Sequence, residues 1–233
     1  MRTMLATVGA AVVAAAASAQ APAGVTPDDA RAIDALVASY PRALAECDAE
    51  AFADLFAPDG YFASGFRGEV AGRERLVALV RSERHCLPGA SATRRPGGGR
   101  VPEVVLEAGP DGVRGVVDLG AAEYQDEYVK TPDGWRFASR TVIIAAEKDA
   151  GLDANEMRAI RRLGGSELGD HYEVDDNGTR RFIASGVVIR VSDGAVTGRV
   201  YLPDGGYYDD VYEQIGPGEW RVASRAHVPP DAP

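Results

Sequence analysis

Few side chains in this sequence combine a reactive type with a useful spacing. The best group surrounds Asp126, which has Tyr124 and Tyr128 two residues away on either side and Arg140 further along the chain. Burial can raise the pKa of an Asp until it works as a general base, and a Tyr hydroxyl can donate a hydrogen bond to a substrate oxygen. The same four residues could instead fill the interior of a fold, with Asp126 and Arg140 as a structural ion pair.

The turn that follows this group decides which residues face each other. The segment 131–134, Thr-Pro-Asp-Gly, predicts a hairpin with a three-residue loop closed by a bulge at the glycine. That register places Asp126 opposite Arg140, and a similar hairpin later in the chain can place Asp210 opposite Arg225. Acid–arginine pairs across strands hold the register of half-buried hairpins. Because the pair occurs twice, we favour a structural role over a charged pocket floor.

The recurrence extends beyond one ion pair. The stretch 124–140 contains Tyr-x-Asp-x-Tyr followed by Trp-Arg-x-Ala-Ser-Arg, and the stretch 208–225 contains the same two motifs in the same order. Upstream, Thr-Arg-Arg occurs at 93–95 and again at 179–181. Repetition this close predicts one hairpin built twice in the chain.

Tyr40 and His85 are the remaining weak catalytic candidates. His85 lies at the end of a predicted helix, where a positive charge suits the helix dipole, so it is either a solvated cap or an acid or base at a pocket mouth. His171 and His227 have no partner at metal-ligand spacing, and we expect both at the surface.

The cysteine count permits one bridge. Cys47 and Cys86 are the only cysteines, so a disulfide and a pair of buried thiols both remain open. The sequence contains no CxxC motif and no pair of histidines at ligand spacing. We therefore predict no metal site and no cofactor.

The elements that position these residues begin with three helices. Thr26, followed by Pro and two Asp, predicts the start of a helix with one apolar stripe, which Pro41 should kink near Val37. Asp48 is expected to cap a second helix, 58–60 to form a turn and 72–84 to form a third helix. Strands are predicted at about 61–64, 101–107, 113–119, 122–130 and 135–145, and again at about 181–191, 195–202, 206–214 and 219–227 after a short helix at 153–163. Helices separated from an antiparallel sheet predict an α+β fold.

The N-terminal residues are typical of an export signal. Residues 1–19 combine Arg2, an Ala-rich apolar core and the small-x-small site Ala17-Ser18-Ala19. We expect an exported, periplasmic or secreted protein with no membrane-spanning segment after signal removal. The formal net charge of −10 makes a nucleic acid or an anionic membrane surface an unfavourable partner.

Residues 27–146 resemble the SnoaL-like members of the nuclear transport factor 2-like superfamily. The resemblance is carried by Tyr40, by Asp48 with the segment 55–60 (Leu-Phe-Ala-Pro-Asp-Gly), by Gly-Arg-Glu at 72–74 and by the 124–140 hairpin. It implies a curved antiparallel sheet wrapped around N-terminal helices to form a cone. The predicted organisation is a signal at 1–19, a linker at 20–26, the cone at 27–146, a linker at 147–152, a partial repeat at 153–228 whose truncated sheet copies the second half of the cone, and a tail at 229–233.

The resemblance implies a small-molecule pocket without a complete catalytic set. Tyr40 stands where ketosteroid isomerases of the superfamily place a hydrogen-bond-donating Tyr, but Ser64 stands where their catalytic Asp would be. Dehydratase-like members often carry a His where this sequence has Arg95 and Arg181. The predicted ligand-binding residues are Tyr40, Tyr61, Ser64, Tyr124, Asp126, Tyr128 and Arg140.

Three hypotheses for function follow. The first is an exported protein that binds a small apolar molecule. The second is a cofactor-independent lyase or isomerase, of dehydratase or cyclase type, that acts on a small apolar or polyketide- or steroid-like substrate through Tyr40, Asp126 and His85. The third is an interaction protein that uses the second sheet, which must otherwise be covered by a second copy of the chain or by internal sheet-on-sheet packing.

Overall fold

The computed structural model describes residues 24–87, 89, 103–109, 112–164, 171–174, 180–183 and 187–230, with the backbone alone for 171–174 and 180–183. The predicted signal at 1–19, most of the 20–26 linker, the end of the tail and Arg95 lie outside these residues, as do the side chains of His171 and Arg181. The helices are α1 Pro27–Glu46, α2 Ala49–Ala53, α3 Arg73–Arg81, α4 Ala145–Asp149 and α5 Ala154–Leu163, with a 3₁₀ turn at Arg84–Cys86. The strands are β1 Phe56–Ser64, β2 Gly68–Ala71, β3 Val104–Gly109, β4 Gly112–Asp118, β5 Ala122–Thr131, β6 Gly134–Ile144, β7 His171–Val174, β8 Arg180–Ile183, β9 Val187–Ser192, β10 Ala195–Tyr201, β11 Tyr207–Gly216 and β12 Glu219–Val228.

The start of α1 follows from its first four residues. The Thr26 hydroxyl accepts a hydrogen bond from the Asp29 amide, and the Asp29 carboxylate accepts one from the Thr26 amide, which satisfies two free N–H groups at the helix end. The helix continues through Pro41 to Glu46 and ends at Cys47, whose φ is 57°. Its buried stripe, which includes Tyr40, covers the first sheet.

The first sheet has the strand order β2-β1-β6-β5-β4-β3. All neighbours pair antiparallel except β1 and β6, which run parallel. Helices α1, α2 and α3 share one apolar core with this sheet. The α+β cone architecture predicted from the sequence is therefore confirmed.

One local prediction was wrong. Residues 58–60 are not a turn between elements but the irregular middle of β1, where Pro58 and Asp59 bulge into solvent between the paired residues Phe56 and Tyr61. Gly60 permits this because a Cβ there would lie 2.6 Å from the Phe137 carbonyl oxygen. Helix α4 overlaps the first residues of the segment 147–152 that was expected as a linker.

The second sheet has the order β12-β11-β10-β9, and β7 pairs with β8 in a separate hairpin. Helix α5 packs on the second sheet and contributes Met157 and Ile160 to a core that also contains Ile143 and Leu152. The short helix and the first unit thus pack on one face of this sheet within the chain.

The start of α5 repeats the start of α1, which the sequence analysis did not recognise. Asp29 at the third position of α1 accepts a hydrogen bond from the indole of Trp135, and Glu156 at the third position of α5 accepts one from the indole of Trp220. Both tryptophans occupy the same place in the repeated hairpin motif. The second copy therefore includes a counterpart of the first helix as well as the sheet.

Among the described residues, no helix combines the length and the apolar composition that a membrane span needs.

Candidate functional site

A cavity of about 280 Å³ lies between α1, α3 and the first sheet. Its wall is largely apolar, with two tyrosines facing a rim that carries charged residues. The lining residues are Tyr40, Leu44, Phe52, Phe62, Phe66, Arg67, Leu79, Glu83, His85, Tyr124 and Val142. This composition, apolar with a few polar groups, is typical of a small-molecule site.

Tyr40 and Tyr124 are the polar groups of the interior. Their rings meet edge to face with centroids 5.5 Å apart. Burial raises the pKa of both hydroxyls and outweighs the opposing effect of Arg140, and the nearby Asp126 raises both further, so both stay protonated at neutral pH. Within the described part of the chain, neither hydroxyl has a hydrogen-bond partner. Two hydrogen-bond donors are thus free to meet a ligand.

Arg140 lies directly behind these two rings. Its guanidinium carbon is 4.3 Å from each tyrosine ring centroid and 4.2 Å from that of Phe137, and the residue is 0 % exposed. Burial alone would lower the pKa of Arg140, but Asp126 outweighs it and holds the pKa above its ordinary value. The cation therefore remains charged inside an aromatic cage.

Both carboxylate oxygens of Asp126 bind the Arg140 guanidinium. Its two oxygens accept hydrogen bonds from Arg140 Nε at 2.8 Å and Nη2 at 2.6 Å, and Tyr128 donates to Oδ2 at 2.7 Å. Burial and the Asp126 charge raise the pKa of Tyr128, which keeps this hydroxyl a donor. Asp126 is buried, does not line the cavity and already accepts three hydrogen bonds, so it is poorly placed to be a general base for a molecule in the cavity.

The predicted pairing of Asp126 with Arg140 is present, but the three-residue loop that was predicted to produce it was wrong. The hairpin closes with Thr131 opposite Gly134, which is a two-residue loop, and the extra residue is Ala138, which has no partner in β5. The second hairpin skips Ala223 at the equivalent place and pairs Asp210 with Arg225. The same bulge in both copies restores the same ion pair.

Three contacts hold the segments of the cavity rim together. Arg67 pairs with Glu83 at 2.6 Å, and Arg67 is 5 % exposed. His85 Nε2 lies 2.8 Å from the Leu44 carbonyl oxygen. Cys47 and Cys86 form a disulfide that ties the end of α1 to the 3₁₀ turn. The segments that carry Leu44, Glu83 and His85 are therefore held together at the mouth.

The predicted site residues fall into four places. Tyr40, Tyr124 and His85 line the cavity, while Asp126, Tyr128 and Arg140 form the buried network behind it. Ser64 is buried and accepts a hydrogen bond from the Arg67 amide. Tyr61 lies on the opposite side of β1, where Arg158 donates to its hydroxyl.

Five lining residues were not predicted from the sequence, namely Phe52, Phe62, Phe66, Arg67 and Glu83. A signal for one of them existed, because side chains alternate across a strand and Phe62 shares the inner face with Ser64, whereas Tyr61 does not. The loop residues Phe66 and Arg67 carried no such signal.

Metal-binding capacity is limited in this state. Cys47, His85 and Cys86 place donor atoms within 4.8 Å of one another, and they are the only such group among the described residues. The disulfide occupies both sulfurs, so neither is a thiolate that could bind a metal.

A larger open groove of about 770 Å³ lies at the tip of the β5–β6 hairpin beside α2 and β1. Its basic side chains are mostly neutralised, since Arg73 pairs with Glu50 and Lys130 pairs with Asp29. We consider the smaller cavity the better candidate site because two tyrosine hydroxyls without a partner among the described residues meet a largely apolar wall there.

Comparison with known proteins agrees with this fold. A family model described as a SnoaL-like domain matches residues 26–141. A search of curated protein sequences finds no significant match. Similar solved structures include an NTF2-like protein with a cystatin-like fold from Novosphingobium aromaticivorans, at 23 % identity and a TM-score of 0.39, covering 51 % of this chain and 82 % of that one. Others are ActVI-ORFA from Streptomyces coelicolor, at 15 % identity and a TM-score of 0.39 (49 % and 96 % covered), and a cystatin-like domain of unknown function from Nostoc punctiforme, at 16 % and 0.40 (58 % and 93 % covered).

Proposed function

We propose, from the premise that the chain belongs to the SnoaL-like family through residues 26–141, that the protein binds a small apolar molecule carrying a hydrogen-bond-accepting oxygen. The observation that carries the proposal is the pair of protonated hydroxyls, Tyr40 and Tyr124, in a cavity whose other interior walls are apolar. Neither hydroxyl oxygen is among the fully buried polar atoms of the described residues, so both are open to the cavity, and a ligand oxygen could accept a hydrogen bond from each.

The volume of the cavity limits the size of the ligand. At about 280 Å³ it stands at the lower end of the range for small-molecule pockets, which suits a molecule of one or two rings. The net charge of −10 favours a neutral ligand over a nucleic acid or another polyanion.

An enzymatic role as a lyase or isomerase is the second candidate. The observation in its favour is that His85 lines the same cavity as Tyr40, so an acid or base and a donor border one space. Asp126 does not support this role because Arg140 and Tyr128 occupy both of its oxygens. Loss of turnover in His85→Gln on an identified substrate would favour this candidate.

We also propose that the protein is exported to the periplasm or secreted. The signal-like residues 1–19 support this, and so does the Cys47–Cys86 disulfide, because disulfides persist in oxidising compartments.

Binding of two matched probes tests the main proposal. Tetralone is a bicyclic ketone, and tetralin is the same ring system without the oxygen. We expect wild type to bind tetralone more tightly than tetralin, and Tyr40→Phe and Tyr124→Phe each to weaken tetralone binding about threefold to tenfold by titration calorimetry, the cost of one hydrogen bond. Tyr61→Phe, outside the cavity, is the control. Equal affinity for the two probes in wild type would contradict the proposal.

A further inference from the structure

The segment between β1 and β2, residues 65–67, forms part of the cavity mouth, and we call it the entrance loop. Phe66 and Arg67 line the cavity, and Phe66 is 49 % exposed, so it borders both the ligand space and solvent. Any ligand that enters past this rim must pass the side chains of the entrance loop.

The back of the entrance loop is held by the second repeat. The Ile189 amide in β9 donates to the Gly65 carbonyl oxygen at 2.8 Å. Arg161 in α5 donates through Nη2 to the Ser64 carbonyl oxygen at 3.2 Å. The last carbonyl group of β1 and the first of the entrance loop are therefore fixed by residues of the second repeat, far later in the chain.

The contact is too close for any side chain at position 65. A Cβ on Gly65 would lie 2.0 Å from Glu147 Oε1 and 3.0 Å from the Ile189 carbonyl oxygen. The glycine has an ordinary negative φ, so its requirement is spatial and not conformational. This glycine lets α4 and β9 approach the loop backbone directly.

Arg161 is an unusual choice for simple packing between two units. It is 7 % exposed, and its Nε has no hydrogen-bond partner among the residues that the structure describes. Burial lowers its pKa, and the attraction of Glu69 and Glu147 only partly opposes this. A buried cation with incomplete partners is less stable than an apolar side chain of similar volume, so its contact with Ser64 has a cost that packing alone does not explain.

We propose that the second repeat is a clamp on the entrance loop, in which Arg161 and Gly65 are positioning residues that govern how fast a ligand enters and leaves the cavity. The clamp deepens the function proposed above and rests on it for the ligand. The contacts that define the clamp, however, exist whether or not a ligand is found.

The first arm of the test needs no ligand. Hydrogen exchange of the amides of residues 66–68 is compared in wild type, Arg161→Met and Arg162→Met, where Arg162 is the exposed neighbour on α5. Met keeps much of the buried volume and removes the bond to Ser64. We expect exchange in the entrance loop to rise about tenfold in Arg161→Met, to stay at the wild-type rate in Arg162→Met and to return towards it in Arg161→Lys, which restores a donor. Unchanged exchange in Arg161→Met, or an equal rise in Arg162→Met, would overturn the clamp.

The second arm uses tetralone by stopped-flow binding. We expect association and dissociation rates to rise together in Arg161→Met, with a smaller change in their ratio, which is the signature of an altered entrance and not of an altered binding surface. A loss of affinity through dissociation alone would overturn the clamp. If tetralone binds no variant, including wild type, the proposed function fails, while the exchange arm still decides the clamp. If Arg161→Met does not fold, Arg161→Ala takes its place, because it also removes the bond to Ser64 and adds no volume, with the same expected rise in loop exchange and the same contrary result.

Discussion

Arg140 shows how a charge can be kept inside this fold. The guanidinium lies among three aromatic rings and is neutralised by Asp126, which in turn accepts from Tyr128. Its Nη1 has no partner among the described residues. The network is therefore nearly but not fully satisfied, and it supports the two tyrosines that line the cavity.

Removing the acid of this network should be costly for folding. Asp126→Asn leaves the Arg140 charge buried, so we expect the free energy of unfolding to fall by about 3 to 5 kcal/mol in denaturant titrations. The matched variant in the second copy is Asp210→Asn, which should lose less because the Arg225 side chain is 35 % exposed. Replacing both partners, Asp126→Leu with Arg140→Met, should recover most of the loss. Equal losses at the two sites would contradict this interpretation.

Asp29 predicts a pH dependence of stability. A hydrogen bond from Lys130, with others from Thr26 and Trp135, holds the pKa of Asp29 well below its ordinary value of 3.8. A carboxyl with a lowered pKa stabilises the fold above its unfolded pKa, and this contribution is lost as the pH falls through the folded value. The difference in melting temperature between wild type and Asp29→Asn should be largest near neutral pH and should narrow below pH 3.8. The exposed neighbour variant Asp28→Asn is the control, and a difference that does not change with pH would refute the assignment.

At the scale of elements, the cavity mouth depends on a bridge between two segments. The Cys47–Cys86 disulfide spans 39 positions and joins α1 to the turn after α3. Without it, Leu44 and His85 are held by one hydrogen bond between them.

Loss of the disulfide should lower the free energy of unfolding, because the unfolded chain is then less constrained and has more conformational entropy. We expect Cys47→Ser with Cys86→Ser to lower the free energy of unfolding by about 2 to 4 kcal/mol. The difference should disappear when both proteins are measured in a strong dithiol reductant, which is the control. Equal stability of the two proteins under oxidising conditions would show that the bridge contributes nothing.

The sequence predicted elements better than it predicted their junctions. The Asp126–Arg140 pair could be recognised because its motif occurs twice, yet the loop length was misjudged because the extra residue sits at Ala138, where no local signal marks a bulge. The alternation of side chains along a strand could have predicted that Tyr61 and Ser64 face opposite sides of β1. The turn at 58–60 was wrong because pairing of β1 with β6 overrides the local preference of Pro-Asp-Gly.

At the scale of the whole molecule, the two copies of the hairpin differ in how deeply their acid–arginine pairs are buried. Arg140 is sealed behind α1, whereas Arg225 reaches only the carbonyl end of the shorter α5 through Leu163. Helix α5 lies between the two units, with Met157 and Ile160 on the second core and Arg158 bound to Tyr61 and Glu127 of the first. None of these contacts was readable from the sequence, since they join residues far apart in the chain with no repeated spacing.

This arrangement assigns the two copies different roles. The first copy, with its three helices, encloses the cavity, and the second contacts the rim of that cavity through Ile189 and Arg161. Among the described residues, the second copy has no counterparts of α2 and α3. It can nevertheless contribute to the site of the first copy by contacting the rim of the cavity.

The most direct test of a cavity that binds an oxygen through Tyr40 and Tyr124 is the ¹³C chemical shift of the carbonyl carbon of labelled tetralone in the complex. Hydrogen bonding to the two hydroxyls should move this resonance downfield of its position in an apolar solvent, and the double variant Tyr40→Phe with Tyr124→Phe should bring it back. A bound carbonyl whose shift equals the apolar-solvent value in wild type, or is unchanged by the double variant, would contradict the account.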